Sequence, residues 1–174
     1  MIAGAAAVPL PSLAGAASPI PFALLSPLLL AVAVARSLAR TTEIEASSAR
    51  PVDHFDGLAV LGLAVLAMMI GAASDLLGLT SFGVTAGRNT VGYLALLLIG
   101  RRINGKQAAS LLPVAYVLIA TLFGYAANRT AAWWAFPIAS PGSIPAWLVA
   151  GALSVVGTVA IIRRHTEGDS TPIT

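Results

Sequence analysis

Side chains that could hold a metal, move a proton or attack a carbonyl are few in this sequence, and they are scattered. There is no cysteine among its 174 residues, which removes thiolate metal sites, disulfides and a cysteine nucleophile. The two histidines, His54 and His165, stand at the edge of an apolar run and in a polar tail. Neither has a second ligand at the i, i+4 spacing of a helical metal site, and no serine sits in a nucleophile elbow with histidine and aspartate partners. The segment from Gly100 to Gln107, Gly-Arg-Arg-Ile-Asn-Gly-Lys-Gln, has the outline of a phosphate-binding loop. That loop needs a preceding strand and a Ser or Thr after the lysine to hold magnesium. Here an apolar helix precedes it and Gln107 replaces the hydroxyl, so it reads as a basic turn between helices. Asn128-Arg129-Thr130 matches the glycosylation sequon, a three-residue pattern that recurs by chance. No catalytic residue, metal ligand or cofactor site is therefore expected, and the chain is not expected to be an enzyme.

Three polar or small-residue constellations stand out instead. Asp75, Arg88 and Asn89 fall at the ends of apolar runs. Ionisable groups within membrane spans face the bundle interior and pair with one another. Either these groups reach the headgroups separately, or Asp75 and Arg88 form a pair tying two helices together. The segment Thr41–Pro51 carries Glu43, Glu45 and Arg50, followed by Asp53. Thr42 could cap a short helix with both glutamates in its first turn, where they suit the helix dipole. The segment is either a linker or a docking surface for a cytoplasmic partner. Ala146, Ala150, Ser154 and Thr158 recur every fourth residue. Such a stripe admits a close helix neighbour, within the bundle or in a homo- or hetero-oligomer.

The elements that must position these groups are membrane helices. Of the residues, 57% are hydrophobic and 10% charged, against about a quarter charged in a soluble domain, too little polar surface to cover a globule in water. The composition predicts a single all-α domain, a polytopic transmembrane bundle of five to six spans. A span needs about 20 mostly apolar residues, and the runs place spans at 20–39, 55–77, 81–103, 107–126 and 144–163, with 164–174 as a cytoplasmic tail. The third reaches spanning length only by taking in Arg88 and Asn89, as a helix with buried polar residues or as a re-entrant segment. Residues 1–18 are apolar and uncharged, without the basic n-region of a signal peptide. With Pro9 and Pro11 they form a kinked first span, an interfacial stretch or a tail. Alternating the spans puts Arg36, Arg40, Arg50, Arg101, Arg102, Lys106, Arg163 and Arg164 on one side, and Arg88 and Arg129 on the other. That eight-to-two bias makes the first side cytoplasmic. Trp133, Trp134, Phe136 and Trp147 fall at the opposite interface, where aromatic rings anchor helices. Nine arginines to one lysine suggest a GC-rich bacterial genome, and the net charge of +3 is explained by topology without nucleic acid.

Four segments carry a resemblance: Glu43-Ile44-Glu45 with Arg50-Pro51, Arg88-Asn89-Thr90-Val91-Gly92, Pro113-Val114-Ala115-Tyr116, and Trp133-Trp134-Ala135-Phe136-Pro137. Through them the chain resembles the small permease-like membrane subunits of ABC-type export systems in GC-rich Gram-positive bacteria, loosely from Ile20 to Arg164. The resemblance implies six membrane helices, a first cytoplasmic loop abutting an ATPase on a separate chain, and an outer hairpin before the last helix, matched here by 131–142. The chain departs from that pattern in its shortness, its truncated first helix and its small loop, which suit an accessory or half-transporter role. The expected function is thus the permease subunit of a multi-component, ATP-driven exporter in the cell membrane. Its partners would be the lipid bilayer and a cytoplasmic ATPase. The alternative is a non-transporting membrane scaffold, assembly or immunity protein. An autonomous proton-coupled carrier would need more buried acids than Asp75.

Overall fold

The computed structural model describes residues 7–10, 18–105, 107–126 and 130–168, apart from 41–51. Five helices dominate: α1 Phe22–Arg40, α2 Val52–Leu76, α3 Gly83–Asn104, α4 Leu111–Phe123 and α5 Ile144–Gly168. A single 3-10 turn, Phe136–Ile138, lies between α4 and α5. Two short strands, β1 Ala7–Leu10 and β2 Ser18–Pro21, pair antiparallel with Ala7 opposite Pro21 and Leu10 opposite Ser18. Where a first span at 1–18 was one expectation, residues 7–10 are therefore extended. Pro9 explains this, because proline breaks a helix interior and pushes the preceding residue towards extended backbone. The expected span 107–126 is helical only over Leu111–Phe123, after a turn at 107–110. The stretch 164–174, expected as a tail, continues α5 as far as Gly168.

The middle of the bundle is α3, with 14 of its 22 residues buried. It packs against α1, α2, α4 and α5. It is one continuous helix with Arg88 and Asn89 inside it, so the re-entrant alternative does not arise. Its directions relative to its neighbours follow from close approaches. Arg88 lies against Trp147, and Ala95 against Gly157, so α3 and α5 run parallel. This brings Arg163 and Arg164 level with Arg101 and Arg102. Leu25 of α1 packs beside Ala135 and Ile138, which sends Arg36 to the Arg101 end. The basic residues of three helices thus share one end of the bundle, and Arg88 lies towards the other.

Helices α2 and α3 form an antiparallel hairpin. At the end of α2, Gly78 has φ 67°, and the Leu79 N–H reaches the Ser74 carbonyl at 2.9 Å while the Gly78 N–H reaches that of Asp75 at 3.1 Å. This is a Schellman stop, the ending that glycine allows because it has no Cβ. Beyond the turn, a Cβ on Gly71 would lie 2.2 Å from the Gly83 carbonyl oxygen, and one on Gly83 would lie 2.3 Å from that of Gly71. The two backbones touch because both residues are glycine. At the far end, Arg101 Nη2 meets Asp56 Oδ2 at 2.7 Å.

The bundle has an apolar core, a few buried polar groups and an exterior that is itself rich in large apolar side chains. Arg88, Asn89, Thr85 and Thr90 are buried. Leu29 on α1, Val65 and Met69 on α2, Leu118 on α4, and Leu148 and Val155 on α5 are exposed. Among the described residues, Phe55–Leu76 is long and apolar enough to cross a membrane, whereas the apolar stretches Leu25–Ala39, Leu111–Phe123 and Ile144–Ala160 are shorter. The polar residues of α3 keep it off that register although it has 22 residues.

Because overpacking a close crossing costs about 1–3 kcal/mol, Gly71→Val should lower the unfolding midpoint of the purified protein clearly. Gly62→Ala, where a Cβ meets nothing within 4 Å, should leave it unchanged. Thermal unfolding of both variants in the same detergent reads the difference.

Candidate functional site

The densest polar arrangement surrounds Arg88. Its Nη2 donates to the carbonyls of Phe136 at 2.7 Å and Ala139 at 2.9 Å, and Nη1 donates to that of Ser140 at 3.0 Å. Nε and Nη2 also reach the Asn89 side-chain oxygen at 3.4 and 3.3 Å. The Asn89 amide nitrogen in turn donates to the Pro137 carbonyl at 2.9 Å. The guanidinium lies 5.7 Å from the Trp147 ring centroid, within cation–π range. These carbonyls converge because Pro137 starts a 3-10 turn too short to use them all. The last carbonyls of a helical turn lack partners within it. A guanidinium offers five N–H donors in a planar fork, which suits such a cluster.

The turn is pressed onto the bundle by aromatic packing. A Cβ on Gly92 would come within 2.5 Å of the Phe136 ring, so that ring lies directly on the backbone of α3. Tyr116 stacks on Phe136 with centroids 5.2 Å apart, and Tyr93 lies at 5.8 Å. The Tyr116 hydroxyl donates to the Trp134 carbonyl. A Tyr125–Ala131 bridge narrows the connection from α4.

Asp75 serves a different purpose. Its Oδ1 accepts from the Gly83 N–H at 2.8 Å and the Thr80 hydroxyl at 2.7 Å, and its Oδ2 accepts from the Val84 N–H at 2.8 Å. It caps α3 from the preceding helix, satisfying orphan N–H groups where the helix dipole favours negative charge. The expected Asp75–Arg88 pair is therefore not formed. Arg88 finds enough oxygen in carbonyls, and Asp75 is claimed by the nearer helix start. Arg88 and Asn89 do form one unit, as neighbours on α3.

Of the proposed docking loop, Glu43, Glu45 and Arg50 lie outside the described residues, and Asp53 falls in the first turn of α2. The small-residue stripe is half used. Ala146 and Ala150 are buried, and Ala146 belongs to the core with Tyr93, Leu94 and Phe136. Ser154 and Thr158 are half-buried, their hydroxyls donating to the carbonyls four residues before them at 2.8 Å each. The carbonyl cage was not foreseen, because carbonyls belong to every residue. The prolines at 137 and 141 were its one sequence signal. The Asp56–Arg101 bridge was missed as well, though both residues close apolar runs.

The site fixes a positive charge and seats the turn at Phe136–Ser140. Each guanidinium nitrogen is engaged by protein oxygen, so the arrangement is built for anchoring. Since Asp75 and Arg88 share no partner, their effects should add. Asp75→Ala removes a cap, about 1–2 kcal/mol. Arg88→Met leaves several buried carbonyls unpaired at about 1–3 kcal/mol each and should be the more damaging. Denaturant unfolding in mixed micelles should find the double variant within about 0.5 kcal/mol of the sum; a much smaller loss would restore a direct pair.

No family model matches the sequence, and no solved structure matches the chain. The sequence is 30% identical over 128 residues to the UPF0324 membrane protein TauZ of Paracoccus denitrificans. The match takes in 67% of this chain and 36% of the relative's length. The chain is similar, over two-thirds of itself, to a stretch of a membrane protein.

Proposed function

We propose that this chain is a multi-pass protein of the cell membrane, the permease-type subunit of an exporter whose energy comes from a separate cytoplasmic ATPase. The observation that carries the membrane reading is the apolar exterior of the bundle around a buried arginine. Leucine, valine and methionine face outward on the peripheral helices while Arg88 and Asn89 are sealed inside. In hydrocarbon such an exterior is solvated, and buried polar groups satisfied within the protein are stable. Similarity to a membrane protein supports the same reading. α4, with 13 residues, is shorter than a usual span, and the turns flanking it complete the crossing. The end carrying Arg36, Arg101, Arg102, Arg163 and Arg164 is the cytoplasmic one.

The ATPase partner is supported by the resemblance and by the loop holding Glu43, Glu45, Arg50 and Asp53 between α1 and α2, at that basic end. A second reading, a non-transporting scaffold, assembly or immunity protein, is favoured by the filled centre of the bundle. α3 occupies the middle with 14 buried residues, so a conduit would have to form with another chain.

Single cysteines at Ser47 and Ser170 should be shielded from an impermeant thiol reagent in intact cells, and one at Ser140 should label; labelling of Ser47 from outside reverses the orientation. The double change Glu43→Lys with Glu45→Lys should weaken co-purification of an ATPase while membrane insertion stays normal. If no ATPase accompanies the intact protein, the exporter reading fails and the scaffold stands.

A further inference from the structure

Between α2 and α5, over the flank of α3, runs an open apolar groove of about 300 Å³. Its floor includes Val60, Ala64 and Leu94. Along α2 the lining extends from Val60 to Met69, nine steps of about 1.5 Å, or roughly 14 Å. The two hydroxyls at its α5 wall, on Ser154 and Thr158, already donate within their own helix. Small-molecule sites combine apolar walls with a few convergent polar groups, and this lining has only those two hydroxyls.

One end of the groove is marked by charge. Leu98, at the groove, is one turn from Arg101 and from the exposed Arg102. Thr158 precedes Arg163 and Arg164 on α5 by little more than a turn, and the parallel packing of α3 and α5 brings these four positions level. The groove therefore starts about a turn from the basic end and runs past the middle of α2 to Met69, two residues before the Gly71–Gly83 crossing. Its length of roughly 14 Å is about half of a hydrocarbon core about 30 Å thick.

We propose that this groove holds one acyl chain of an anionic phospholipid from the cytoplasmic leaflet, its phosphate at Arg102 on the basic end of the bundle. The inference rests on the membrane placement proposed above and goes beyond it by naming a ligand. Basic pockets between membrane helices on the cytoplasmic side suit anionic headgroups, with each arginine near the surface contributing about 1 kcal/mol. A lipid seated here would fill the gap that α2 and α5 leave between them.

The test is native mass spectrometry of the detergent-purified protein, titrated with phosphatidylglycerol or phosphatidylcholine of identical acyl chains. The wild type should hold one phosphatidylglycerol per chain through delipidation and release phosphatidylcholine. Arg102→Gln should weaken phosphatidylglycerol retention about fivefold. Ala64→Phe, which fills the floor, should abolish retention of phosphatidylglycerol. Ser154→Leu intrudes from the opposite wall and should do the same, so misfolding of either variant leaves the other to decide. Equal retention of both lipids, unaffected by filling the groove, would mean unspecific annular lipid and overturn the proposal. A mass of two chains, abolished by the same groove variants, would assign the groove to a second copy and also overturn it. Release of the protein from membranes by alkaline carbonate would defeat the membrane reading itself. A protein that needs detergent yet retains no lipid defeats this inference alone.

Discussion

A single buried guanidinium organises one half of this molecule. An unpaired charge in a low-dielectric interior is costly, and hydrogen bonds must offset that cost. Arg88 gains them without a carboxylate, from the carbonyls of Phe136, Ala139 and Ser140 and from Asn89. Those carbonyls exist in one place only if the 3-10 turn forms and seats against α3. The charge and the turn therefore specify each other. Phe136 can reach its position because Gly92 offers no side chain, and Trp147 on α5 completes the enclosure.

The same logic runs through the rest of the bundle. Close packing and internal hydrogen bonds must hold these helices together. The bundle answers with glycine at the α2–α3 crossing and with a helix start capped by Asp75. At the basic end the bridge between Asp56 and Arg101 closes the hairpin. Asp56 and Asp75 of α2 thus each secure one end of α3, and α3 in turn is the surface on which the other helices pack.

This division of labour bears on function. The Arg88 end is knitted by side chain to carbonyl contacts, whereas the opposite end holds Arg36, Arg101 and Arg102 beside an apolar groove. The groove and the exposed Arg102 near it form a surface open to another molecule.

The positions of the helices were legible in the sequence. Apolar runs of membrane length, stopped by Arg36, Arg101 and Arg163, marked four of them within a few residues, because a run's length and its charged ends are local properties. That the third helix includes Arg88 and Asn89 was also legible, since it reaches full length only with them, but their burial was not. Nor were their partners. Proximity in sequence and opposite charge pointed Arg88 to Asp75, yet backbone carbonyls 48 to 52 residues away hold it. Asp75 turned instead to the N–H groups of Gly83 and Val84. Carbonyls and amides carry no letter in the sequence, so only the fold, by bending a proline turn over a glycine on α3, decided which of them would meet the charge.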